Sequence, residues 1–161
     1  MEFQSPLIPK LYLLLCLSFI LLLSSFHAHA SGYNFRFCAE DANYPVKISR
    51  LEITPNPIVR ARRAKFKIFA ASDHVICGGK WVIKVSYMGL IVHKKMYDLC
   101  EAMSCPVDAT KFTLSRIQRM PLFAPQGIYT VEISLRNRIN EPFTCITFNL
   151  KIVSTFLGSI L

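Results

Sequence analysis

The sequence contains no Gly-x-Ser-x-Gly elbow, no Cys-x2-Cys pair and no Asn-x-Ser/Thr sequon. The first absence removes a hydrolase-type nucleophile. The second argues against a zinc site, and the third against N-glycosylation. Acidic side chains are scarce: 10 Asp and Glu face 19 Lys and Arg, a formal charge of +9. There are only four His. Two of them, His27 and His29, belong to the N-terminal segment described next. Asp73 and His74 are neighbours, and alternating side chains point such neighbours apart. With His93 as the other remaining imidazole, no acid–base constellation assembles, although a His/His/Lys nuclease-like arrangement is the catalytic class that a small basic protein keeps open. Asp98 and Glu101 flank Cys100 and read as solvated loop charges.

Long apolar runs are absent except for Leu11 to Leu23. Thirteen helical residues rise only about 20 Å, too little for a bilayer core of roughly 30 Å. Lys10 precedes the run and Ala28-His29-Ala30 follows it. Charge, apolar stretch and small-residue end predict a secretory signal over 1–30, cut before Ser31, with one domain over 31–161. The leader carries one base, Lys10, and one acid, Glu2, so the charge balance survives its removal. No low-complexity tract, internal repeat or linker divides the rest.

Period-2 alternation dominates what remains. Phe66, Ile68 and Ala70 alternate with Lys65 and Lys67, and Trp81, Ile83, Val85 and Tyr87 share one face of the next run. Tyr129, Val131, Ile133 and Leu135 repeat the pattern, as do Ile146, Phe148, Leu150 and Ile152. One apolar and one polar face mean half-buried antiparallel strands. Fainter strands are predicted at 35–39, 46–53, 91–99 and 112–119. Turn signals such as Pro55-Asn56-Pro57, Gly78-Gly79, Met88-Gly89 and 121–127 separate them. Seven or eight strands and no convincing helix predict an all-β, immunoglobulin-like two-sheet sandwich.

Cys16 leaves with the leader, so five cysteines reach an oxidising compartment: Cys38, Cys77, Cys100, Cys105 and Cys145. Cys100 and Cys105 are close enough to staple a loop, worth on the order of 2 kcal/mol. Alternation puts Cys38 and Cys145 on the polar sides of their strands, and a bridge between them would contribute roughly 4–5 kcal/mol. The spacing alone leaves other pairings open. Cys77 is then unpaired, and a buried, hydrophobe-like thiol is the plainer expectation, an exposed one the alternative.

Arg60, Arg62, Arg63, Lys65 and Lys67 form the densest basic run. A solvated strand face accounts for it most simply, and docking on an anionic membrane or binding acidic polysaccharide are its functional alternatives. Nucleic acid is disfavoured, because no exposed aromatic platform accompanies the run. The apolar excess is the other feature. Phe66, Ile68, Trp81, Ile83, Val85, Tyr87, Tyr129, Val131, Ile133, Phe148 and Leu150 face inward by alternation, and the Pro-bounded loop at 120–125 adds Leu122 and Phe123. Such a set either fills a core or, with the sheets splayed, lines an apolar pocket.

Specific strings narrow the choice: Phe37-Cys-Ala-Glu-Asp-Ala-Asn-Tyr-Pro-Val-Lys-Ile48, Leu51-Glu-Ile-Thr-Pro-Asn-Pro-Ile58, Gly78-Gly-Lys80, Tyr97-Asp-Leu-Cys100, Ser104-Cys-Pro106 and Thr144-Cys-Ile146. Over roughly 35–153 the chain resembles the ML lipid-recognition domain family in its plant form, the phosphatidylglycerol/phosphatidylinositol transfer proteins. The family also holds the soluble Niemann–Pick type C sterol carrier and the mite group-2 allergens. The resemblance implies a sandwich enclosing a lipid cavity, the pairings Cys38–Cys145 and Cys100–Cys105, and no catalysis or cofactor. The expected protein is a monomeric carrier, extracellular (apoplastic) or in a vacuolar lumen. It shields a phospholipid or sterol and moves it between membranes, touching anionic surfaces transiently. A filled sandwich serving as an interaction module is the rival. The apolar stretch 154–161 reads as an extension of the domain.

Overall fold

Residues with one apolar and one polar face pair wherever a partner strand lets the apolar faces meet, and that rule builds two sheets here. The computed structural model describes residues 32–154. The predicted leader at 1–30, and all but the first residue of the apolar extension, lie outside the described residues. The strands are β1 (Arg36–Phe37), β2 (Val46–Thr54), β3 (Ile58–Val59), β4 (Arg63–Ser72), β5 (Lys80–Tyr87), β6 (Leu90–Asp98), β7 (Lys111–Arg119), β8 (Gly127–Arg136) and β9 (Pro142–Val153). The larger sheet runs β1-β9-β8-β5-β6, with β3 also on β9; the smaller runs β2-β4-β7. Every pairing is antiparallel except β3 with β9. The all-β two-sheet architecture is the predicted one.

Cross-strand partners share a face, so register converts alternation into apolar rows. In the larger sheet the inner rows are Ile83–Ile133–Ile146, Val85–Val131–Phe148 and Tyr87–Tyr129–Leu150. In the smaller sheet Leu51, Ile68 and Leu114 form one row. Trp81, Leu51, Ile68, Leu114, Leu135 and Ile146 are fully buried, each worth about 1.5–3 kcal/mol by removal from water.

The expectations for the turn at Leu99, for Asp98 and for Cys77 need correction. A single helical turn, α1 (Leu99–Ala102), stands where none was expected. The Asp98 carboxylate accepts from the Cys100 N–H at 2.8 Å, and the buried Leu99 anchors the turn. Asp98 is therefore a helix cap, not merely a solvated loop charge. Cys77 is exposed and free, because Ile76 takes the buried position and bridges to Val107, turning the next side chain outward. Cys145 lies on the outer side of β9 but is buried where the end of β1 meets it; the Cys38 N–H donates to its carbonyl at 3.0 Å. The bridges are Cys38–Cys145 and Cys100–Cys105.

Gly79 sits where two backbones nearly touch. A Cβ built there would lie 2.2 Å from the Arg136 carbonyl oxygen, at φ +155°. Gly79→Ala is expected to force β5 from β8 and destabilise the fold by about 3 kcal/mol. Urea unfolding checks this as a lowered midpoint with an unchanged slope.

A candidate binding cavity between the sheets

The smaller sheet has three strands, the path it faces has five, and the two sheets leave a gap between them. A cavity of about 360 Å³ results, a volume typical of small-molecule sites. Its floor is Trp81, Ile83, Val85 and Tyr87 of β5, Tyr129, Val131 and Ile133 of β8, and Leu150 and Ile152 of β9. Phe66 of β4 and Arg116 and Gln118 of β7 form the roof. Val92, His93 and Tyr97 of β6 close one side, and residues of the β7–β8 loop from Met120 to Pro125 close the end.

Two tyrosines hold that loop from beneath. The Tyr129 hydroxyl donates to the Pro125 carbonyl at 2.7 Å and the Tyr87 hydroxyl to the Gln126 carbonyl at 3.2 Å. Their ring centroids are 4.6 Å apart. Each hydroxyl thus meets a loop carbonyl, while the rings contribute apolar wall. Beyond the loop the surface stays apolar: Phe123 is 87% exposed, and Leu122, Ile128, Met88 and Leu90 are exposed as well.

The structure brings ten of the twelve expected residues to the cavity: Phe66, Trp81, Ile83, Val85, Tyr87, Phe123, Tyr129, Val131, Ile133 and Leu150. Ile68 and Phe148 face inward but do not line it. Ile68 is packed into the row between Leu51 and Leu114. Phe148 meets the Tyr33 ring edge-on at 5.9 Å. Missed were Ile152, which continues the β9 alternation, and Arg116 and Gln118, which share the period of Phe112 and Leu114 but are polar. Val92 was also missed; it falls at the register shift between β5 and β6, where an extra residue re-aims a side chain. The basic run is split. Arg63 pairs with Arg119, and the Met120 N–H donates to the Arg62 carbonyl at 2.9 Å, so these arginines adjoin the loop end of the cavity. Lys65 and Lys67 run away along the outer face of β4, and Arg60 is half-buried in the β3–β4 turn.

Two antiparallel sheets enclosing an apolar hollow define a β-sandwich with an internal, ligand-sized site. The ML domain profile matches residues 32–152, and the chain belongs to that family. It is 30% identical to the MD-2-related lipid-recognition protein ROSY1 of Arabidopsis thaliana, over 83% of this chain and 86% of that one. It is 28% identical to the phosphatidylglycerol/phosphatidylinositol transfer protein of Neurospora crassa, over 70% of this chain and 68% of that one. Among solved structures, a Niemann–Pick type C2 protein from the Japanese carpenter ant superposes with a TM-score of 0.60 at 16% identity, covering 75% of this chain and all of that one. Chicken MD-1 complexed with lipid IVa gives 0.50 at 14%, over 73% and 86%. The fold is therefore the β-sandwich of ML proteins.

Burial raises the Tyr129 pKa, and the neighbouring Tyr87 raises it further. Burial also raises that of Tyr33, against a smaller lowering by a backbone hydrogen bond at Lys151. A raised phenol keeps its proton longer folded than unfolded. Its contribution is complete below the unfolded value of about 10 and is lost as pH rises through the folded value. Stability is expected to fall above about pH 10. Tyr129→Phe should reduce that loss while costing about 1 kcal/mol at neutral pH through the missing bond to Pro125. Denaturant titrations at several pH values check both.

Proposed function

We propose that this protein is a secreted lipid carrier that takes the apolar part of a phospholipid or sterol into the inter-sheet cavity, shields it from water and releases it at another membrane, without catalysis. The observation that carries the reading is an almost wholly apolar cavity between the sheets of a chain belonging to the ML family. Burial supplies the driving force at about 25 cal/mol per Å² of apolar ligand surface. The names of relatives support lipid recognition and transfer. Two disulfides fit an oxidising compartment, and the N-terminal apolar run supplies the export signal.

Access is proposed at the loop end, where exposed Leu122 and Phe123 stand beside Arg62, Arg63 and Arg119. Apolar side chains insert shallowly while cations meet anionic headgroups, each worth about 1 kcal/mol near the surface.

Organic extraction and mass spectrometry of the purified protein test the carrier reading. A stoichiometric phospholipid or sterol is the expected result; a folded protein that holds no lipid and takes up none added would make it an interaction module. Val85→Asp places a carboxylate on the cavity floor and is expected to lower lipid uptake at least tenfold while the fold persists by circular dichroism. The double variant Arg62→Gln/Arg63→Gln is expected to weaken binding to anionic vesicles about tenfold and leave neutral vesicles unaffected. Cosedimentation at two salt concentrations measures this.

A further inference from the structure

The cavity is apolar on its floor, and Arg116 and His93 enter its lining on one side. There β6 and β7 are the free edges of their respective sheets, with no backbone ladder joining them. Lys95 pairs with Ile83 and His93 with Val85, so both stand on the inner face of β6. Arg116 pairs with Phe66 and stands on the inner face of β7. Its guanidinium carbon lies 3.5 Å from the Tyr97 ring centroid, a contact that spans the gap between the two edges. The Lys95 ammonium lies 5.1 Å from the same ring.

One of these donors is buried without an acceptor. Arg116 Nε is buried and bonds to nothing, and neither ion pair among the described residues includes Arg116, Lys95 or His93. Trp81, which lines the same cavity and packs its ring on Tyr97 at 6.3 Å, also has a buried indole N–H with no acceptor. Inward cations on an edge strand discourage edge-to-edge pairing. That role needs charge at the edge; it does not need buried donors held beside an apolar cavity without partners, an arrangement that is unfavourable until an acceptor arrives.

We propose that the gap between β6 and β7 is an anion subsite, in which Arg116 receives the phosphate or carboxylate of an acyl lipid whose chain occupies the apolar cavity, with Lys95 adding positive charge at that edge and His93 a polar side chain beside it. The subsite rests on the carrier reading and narrows it: an anionic acyl lipid satisfies a guanidinium that a sterol hydroxyl leaves without a counter-charge.

Displacement of a fluorescent apolar probe from the purified protein tests this, using lysophosphatidylglycerol and a monoacylglycerol with the same chain. The charged lipid is expected to bind at least tenfold more tightly at low salt. Arg116→Gln should abolish most of that ratio by weakening the lysolipid far more than the monoacylglycerol, and Arg116→Lys should restore part of it. Should Arg116→Gln fail to fold, the exposed pair His93→Gln/Lys95→Gln is expected to cut the ratio at least threefold. Equal wild-type affinities, or a ratio that survives these substitutions, would overturn the subsite and leave the carrier reading standing. Displacement by neither lipid would overturn both. Inorganic phosphate alone, followed by calorimetry, should bind far more weakly than the lysolipid; equal affinity would assign the site to a free anion and overturn its lipid form.

Discussion

A three-stranded sheet packs against a five-strand path, and the rest of the molecule depends on where their apolar faces meet and where they part. Where β2, β4 and β7 lie over apolar rows, the sandwich is closed and dry: Ile68 is fixed between Leu51 and Leu114. Where the cavity lies between the sheets, Ile83, Val85 and Val131 face Phe66, Arg116 and Gln118 across it and become walls.

The boundary of the hollow is held by polar contacts. Backbone ladders close the sandwich along its strands, but the β6–β7 edge is spanned by Arg116 on Tyr97, and the β7–β8 loop is tied by two tyrosine hydroxyls. A single cation–π contact is worth roughly 0.5–2 kcal/mol, and one neutral hydrogen bond about 1 kcal/mol.

Much of this was legible in the sequence. Trp81, Ile83, Val85 and Tyr87 alternate so regularly that their strand and its inner face follow directly, and the ML strings carried the architecture. Alternation assigns a face and says nothing of what stands opposite. That is why Phe148, covered by Tyr33, was indistinguishable from Leu150, which lines the cavity. Arg116 escaped notice for the opposite reason: its period places it inward, but a charged residue reads as outward by type. Cys77 shows local geometry overriding composition, since its neighbour Ile76 claimed the buried position. The turn at Leu99 depends on one side-chain cap, which spacing alone does not announce.

β9 occupies a singular place in the topology. It is the last of the described strands, yet it pairs with β8 along one edge and with both β1 and β3 along the other. Its Cys145 is bonded to Cys38, 107 residues earlier. During synthesis the early strands β1 and β3 accordingly have no ladder to join until residues beyond 142 have emerged, and the Cys38 thiol waits equally long for its partner. The hairpin β5–β6 and the β2–β4–β7 sheet need no residue beyond 119. β9 completes the large sheet and supplies the second half of the long bridge. A nascent chain stalled before β9 would leave that sheet incomplete and carry a reactive thiol near its beginning.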